Sequence, residues 1–259
     1  MANLYLTDTY LTQAHLTVVH ARELPNGLAE IALADTIGRP KGGGQPADKC
    51  FFTHGGVRFE IGRVSKQSEK PFFTVYEYEP FSHPLPSVGD EIEFEVDVER
   101  RLDLSKRHTL THVVMGAIRR NVSDYQSRGA EIYDDGRTCS LWFNSSRPVE
   151  ASQLAEIDMS SRSIVTDELE VRAVSEKSID IAESKYSAWR VDGTLGLSGK
   201  IRTILIGPDW DANPCSGTHV RSTGEIGPFV IDQLLWNGQR ECWEIKLGIT
   251  KVWSNWYGE

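Results

Sequence analysis

Two stretches of the chain hold side chains whose types and spacing can do chemistry. In "KRHTLTHVVM", residues 106–115, His108 and His112 stand four apart, and in "NPCSGTHV", residues 213–220, Cys215 and His219 do the same. Positions i and i+4 lie on one face of a helix, so the first pair can close on a single ion. The better-known motif of that spacing places Glu directly after the first His as a general base. Here Thr109 stands in that place, which disfavours a metalloprotease. Three imidazoles and one thiolate make a zinc-type set, softer than magnesium or calcium would select. The other four histidines (15, 20, 54 and 83) all precede residue 99. Between His112 and Cys215 lie 102 residues, so only the fold can join the two pairs. No G-x-S-x-G elbow occurs, and a serine-esterase mechanism has no support.

The elements around these stretches divide the chain into two expected domains, 1–98 and 99–259. The first reads as β structure. Apolar residues flank Pro25-Asn26-Gly27, a hairpin signal, and "GVRFEIGRV" alternates through Val57, Phe59 and Ile61. In "DEIEFEVDVE", Ile92, Phe94, Val96 and Val98 are expected to face one way, with acids between them. Short strands without a convincing helix predict a small barrel or sandwich. In the second domain Ser105 is the expected N-cap of a helix running to about Asn121. A second helix is expected over "PVEASQLAEIDMSSRSI", with Pro148 near its first turn. "TCSLWFN", "LEVRAVS", "KIRTILIG", "GPFVIDQLL" and "CWEIKLGI" read as strands. Strands and helices interleave without a regular βαβ repeat, so the expected class is α+β.

The apolar share of 39% and charged share of 25% fit a water-soluble protein. Without a signal-like leader or a membrane-length apolar run, and with four scattered cysteines, a reducing cytoplasmic setting is expected. The formal charge of −9 argues against general nucleic-acid binding. The exception is residues 99–128, which hold seven Lys or Arg against three Asp or Glu. Arg100, Arg101, Arg107, Arg119 and Arg120 in that stretch are candidate phosphate contacts, the alternative being a solvated helix face.

An HxxxH pair followed by C-x-G-T-H-V resembles the editing domain of alanyl-tRNA synthetase and its free-standing relatives, the AlaX-type alanyl-tRNA editing proteins. "FEVDVERRLDLSKRHTLTHVVMGAI" is similar to that family's first metal-binding helix, and "GKIRTILIGPDWDANPCSGTHVRSTGEIGPFVI" to its second half. "GGGQPAD", residues 42–48, is similar to the glycine-rich segment of members with an extra β domain. The resemblance implies hydrolysis, in trans, of the ester joining serine or glycine to alanine tRNA, with Zn2+ held by His108, His112, Cys215 and His219. It also implies roles for Thr111 beside the ester and for Gln126 after the helix. Separately, the consecutive glycines of GGGQP suit a loop reaching the aminoacyl end of tRNA, with Gln45 as a polar contact. Oligomeric state is not implied. The chain departs from the family at Ser216 for the usual Gly, at Leu110, at Cys50, at the lone Arg240 and through 185–199.

The residues themselves leave the chemistry open. Four simultaneous ligands close a tetrahedral shell and look structural, whereas a displaced ligand admits water or substrate. Thr111 either orients substrate or bonds its own helix one turn back. GGGQP is either a loop that approaches substrate closely or a tight turn. The alternatives to a tRNA deacylase are a related hydrolase or acyl transferase on another aminoacyl ester or thioester, and a zinc-stabilised tRNA-binding module without turnover.

Overall fold

The computed structural model describes residues 3–25, 27–67, 70–75, 84–186 and 200–250. Most of the unusual 185–199 stretch lies outside them, as does Asn26 of the hairpin turn. The fold is α+β, and the chain divides into two compact units, Met1–Leu104 and Ser105–Glu259.

In the first unit six strands close into an antiparallel barrel. They are β1 (Gln13–Leu24), β2 (Leu28–Leu33), β3 (Cys50–His54), β4 (Val57–Gln67), β5 (Lys70–Val75) and β6 (Glu91–Val96). Their order around the barrel is β1-β2-β5-β4-β3-β6. The expected hairpin joins β1 to β2, with Leu24 opposite Leu28. Closure leaves no unpaired edge, and alternation sends one face of each strand inward. Ile92, Phe94 and Val96 of β6 fill the interior with Val18, Ile31, Phe52 and Phe73. Phe73 meets Phe94 edge-on at 4.8 Å between centroids. Val98 does not continue that inward row. It is exposed and opens helix α1 (Val98–Asn121).

The start of α1 corrects the expected N-cap. Asp97 Oδ1 accepts from Arg100 N at 3.0 Å, the bond by which an N-cap satisfies an orphan donor. Ser105 sits inside the helix and is buried. The first turns of α1 carry Arg101, which is fully buried. It donates to both oxygens of Asp48, to Thr9 O at 2.9 Å and to Ile37 O at 2.5 Å. Asp48 also accepts from Arg39 N at 2.6 Å. Arg39 in turn donates to the carbonyls of Gly42, Gln45 and Pro46, and so holds the GGGQP loop from inside. Gly43 and Gly44 have φ of 54° and 74°, a left-handed pair that side chains would strain.

The second unit contains the rest of α1, α2 (Ala151–Thr166) and α3 (Ile179–Lys185). Pro148 lies ahead of α2, whose N-cap is Glu150. Strands β7 (Gln126–Ile132), β8 (Thr138–Asn144), β12 (Phe229–Asn237) and β13 (Cys242–Ile249) form one antiparallel sheet in the order β12-β13-β8-β7. Strands β9 (Val171–Glu176), β10 (Ile201–Ile206) and β11 (Asp211–Pro214) form another, ordered β11-β10-β9. Leu110, Val113, Val114, Ala117 and Ile118 of α1 are completely buried. Trp210, just before β11, lies against the helix with Nε1 donating to Val113 O at 3.1 Å. A Cβ on Gly116 would sit 2.6 Å from that nitrogen, so only glycine admits the ring.

Arg101→Ala leaves Asp48 buried without its cation, and such a loss costs about 3–5 kcal/mol. Urea unfolding should show it, with Arg101→Lys recovering only part; an unchanged midpoint would show that the pair does not stabilise the fold. Gly116→Ala is expected to lower the melting temperature through displacement of Trp210, visible as altered tryptophan fluorescence.

Candidate metal centre

His108 and His112 project from α1, while Cys215 and His219 follow β11 in the Cys215–His219 loop. Their ligand atoms all lie within 4.8 Å of one another. Cys215 Sγ is 3.4 Å from His108 Nε2 and 3.3 Å from His219 Nε2. The three histidines are buried and Cys215 is half-buried. Four soft donors converging this closely are compatible with one tetrahedrally held metal ion.

Each piece of the cluster is tied down separately. The loop is anchored to β10, because Cys215 N donates to Arg202 O while the Arg202 guanidinium donates to the carbonyls of Cys215 and Gly217. Gly217 N points at Cys215 Sγ at 3.3 Å. Ser105 Oγ on α1 meets Thr218 Oγ1 at 2.8 Å. Thr109 Oγ1 lies 3.2 Å from His219 Nδ1 and 2.8 Å from Ser105 O. His112 Nδ1 is 2.7 Å from Asp211 Oδ2. Asp211 is itself held by Arg119 at 2.7 Å and by Asn213 Nδ2 at 2.6 Å. Neither Thr109 nor Asp211 was singled out from the sequence as a partner of the ligands. An acid four residues ahead of a candidate cysteine ligand, in "DANPC", was the available signal.

The electrostatics follow from these neighbours. Burial works to raise the Cys215 thiol, but the charges of His108 and His219 outweigh it and hold the group well below the ordinary thiol range. Burial and then the His108 charge push His219 down to about 3. For His112 burial opposes the charge most strongly, yet the hydrogen bonds and charges of Asp211 and Cys215 together outweigh it and push the ring up to about 10. Asp211 is lowered despite its burial, chiefly by the bond and charge of His112 and then by Arg119. The site therefore favours a thiolate, the form that binds metals.

Thr111 is buried and donates to His108 O at 2.7 Å, the bond to its own helix one turn back. Gln126 is exposed at the start of β7, opposite Asn144. Gln45 belongs to the first unit, where it is buried and its carbonyl accepts from Arg39 at 3.2 Å. The five arginines named as candidate phosphate contacts all make contacts within the protein. Arg101 and Arg107 are buried, the latter donating to Tyr133 O and Thr138 O. Arg119 is engaged with Asp211 and Trp210 O. Arg120 donates to Gly116, Asp209 and Trp210 carbonyls with its guanidinium 4.1 Å from the Trp210 ring, and Arg100 donates to Ala47 O. These five arginines are met by backbone carbonyls and by the buried acids Asp48 and Asp211, partners that composition does not reveal.

Residues 201–249, which include Cys215 and His219, match the family described as the threonyl and alanyl tRNA synthetase second additional domain. The chain is 33% identical over 210 residues to the alanine–tRNA ligase of Methanopyrus kandleri, covering 80% of this chain and 22% of that protein. It is 32% identical over 200 residues to that of Aeropyrum pernix, covering 76% and 21%. The family match and these likenesses together support an AlaX-like alanyl-tRNA editing-domain protein. The chain spans about a fifth of the length of the ligases it matches. The fold brings the two expected pairs, His108/His112 and Cys215/His219, into one cluster.

Elemental analysis of the purified chain is expected to find one tightly held divalent ion. Cys215→Ala should remove it, since two of the three histidines lie within 3.4 Å of that sulfur. A substoichiometric metal content that added ion does not restore would count against the site.

Proposed function

We propose that the chain hydrolyses the ester of alanine tRNA carrying the wrong amino acid, chiefly serine and also glycine, with zinc at the cluster. The observation that carries this reading is the convergence of three imidazoles and one thiolate in a chain related to part of the alanine–tRNA ligases. Zinc is favoured by the donor set, which suits a borderline-soft ion. With metal–nitrogen and metal–sulfur bonds of roughly 2.0–2.3 Å, tetrahedral donors stand about 3.3–3.6 Å apart. The Cys215 contacts at 3.4 and 3.3 Å match that spacing.

When bound, zinc supplies polarisation of an ester carbonyl or a water of lowered pKa. The chain's own residues supply selection and orientation. Thr111 has given its proton to His108 O, so its oxygen can only accept. It therefore suits a donor on the aminoacyl group, either the ammonium or a serine hydroxyl. An apolar pocket discriminates weakly against one added hydroxyl, whereas a site that pairs the hydroxyl leaves a polar atom unsatisfied with alanine. Gln45 and Gln126 are proposed as further contacts to the aminoacyl end. In a cell this activity belongs with the cytoplasmic translation machinery.

A second reading has one observation in its favour: all four ligands are already gathered, and a closed shell is the mark of a structural ion. On that reading the chain binds tRNA without turnover.

The deciding experiment incubates zinc-loaded protein with alanine tRNA charged with serine, glycine or alanine. Serine should be released fastest and alanine largely spared. Thr111→Val should reduce the serine-over-alanine ratio by about tenfold, the equivalent of one hydrogen bond. Seryl and glycyl esters left intact, at protein levels that cleave an unrelated aminoacyl ester, would sink the proposal.

A further inference from the structure

We propose that Thr109 is a positioning residue of the metal centre, whose hydroxyl decides which ring nitrogen of His219 faces Cys215. The inference rests on the reading of the four-residue cluster as a metal site and is independent of any tRNA substrate. Thr109 occupies the place, directly after the first histidine, where the better-known helical pair carries its acid. Here the side chain serves a ligand from the other half of the site.

The assignment follows from counting protons. Thr109 Oγ1 is buried and has three neighbours: Ser105 O at 2.8 Å, His219 Nδ1 at 3.2 Å and Val220 N at 3.2 Å. A hydroxyl has one proton to give and two lone pairs. A carbonyl oxygen can only accept, so Ser105 O, the shortest of the three contacts, takes the proton. A backbone N–H can only donate, so Val220 occupies one lone pair. The remaining lone pair faces His219 Nδ1, which must then carry the ring proton and donate it. That leaves Nε2, 3.3 Å from Cys215 Sγ, with its lone pair directed into the cluster. The same hydroxyl ties the ring to the backbone of α1 through Ser105 and to its own loop through Val220. The ring is thereby fixed in rotation as well as in tautomer. His112 receives the equivalent service from a carboxylate, Asp211. The two imidazoles are thus pre-set by chemically different partners.

The test uses the full chain with cobalt(II) as the probe, because its visible absorption reports both thiolate ligation and four-coordinate geometry. Affinity is read by titration and by zinc competition. Thr109→Val keeps the shape and deletes the hydroxyl, and Thr109→Ser keeps the hydroxyl. The valine variant is expected to bind cobalt about 10–100-fold more weakly, with a weakened four-coordinate spectrum, while the serine variant stays close to wild type. Valine binding as tightly as wild type, or serine binding as weakly as valine, would overturn the proposal. Should the valine variant not fold, Thr109→Ala replaces it: alanine weak with serine tight supports the role, and equal affinities refute it. A wild-type chain that takes up neither cobalt nor zinc would overturn the metal reading and this inference with it. Variants that differ from wild type in nothing would overturn the inference alone.

Discussion

Helix α1 is buried on nearly every side, and this constraint governs the rest of the second unit. From Leu104 to Ile118 every residue except Lys106 is buried. A polar group taken from water into such surroundings must find a partner or cost several kcal/mol. The helix nonetheless carries arginine, histidine, serine and threonine through its middle. Arg107 answers the demand with two backbone carbonyls of the β7–β8 hairpin, and Thr111 with its own helix. Ser105 answers it with Thr218. His108 and His112 find a thiolate, a third imidazole and Asp211. The four-residue cluster is thus one solution to a requirement that the whole helix faces. The polar groups that satisfy the helix are also the ones that build the site.

This explains what was legible in the sequence. The ligand pairs were readable because a spacing of four has geometric meaning on a helix, and because a soft ion needs a small set of donor types. Strands β4, β6, β8 and β13 were readable because one face of each is apolar. The start of α1 was not, because "VERRLDL" looks like a solvated segment. Its arginine is stabilised by Asp48, whose position in the chain gives no local signal. Charge counts carry no information about partners brought near by folding. Strand β7, "QSRGAEI", lacked alternation because its residues are largely exposed and Gly129 sits at a register break. The short β11, "DANP", was hidden by its proline and its length, although it carries Asp211.

Between β10 and His219 the chain performs several tasks in a short span. Trp210 packs on Gly116, Asp211 holds His112, Asn213 holds Asp211, and Cys215 and His219 complete the cluster. Such proximity couples packing to ligand geometry. A shift of Trp210 moves the carboxylate one residue later, and through it the ring of His112. Rigid support of this kind is what a metal centre requires if its ligands are to stay within a few tenths of an ångström of productive positions.

The charge balance of the site bears on which chemistry it suits. The negative charge of Asp211 is met by Arg119 at 2.7 Å, so that pair leaves the surroundings nearly neutral. The ligand set then contributes a single negative charge, the thiolate of Cys215. In the proposed zinc-bound form a divalent ion would leave a net positive centre inside a buried setting, where low polarity strengthens its field. A purely structural site is better served by a neutralising pair of thiolates, whereas one thiolate with three imidazoles retains a charge that can stabilise an oxyanion. Charge therefore favours the hydrolytic reading over the structural one, even though the gathered ligands taken alone do not.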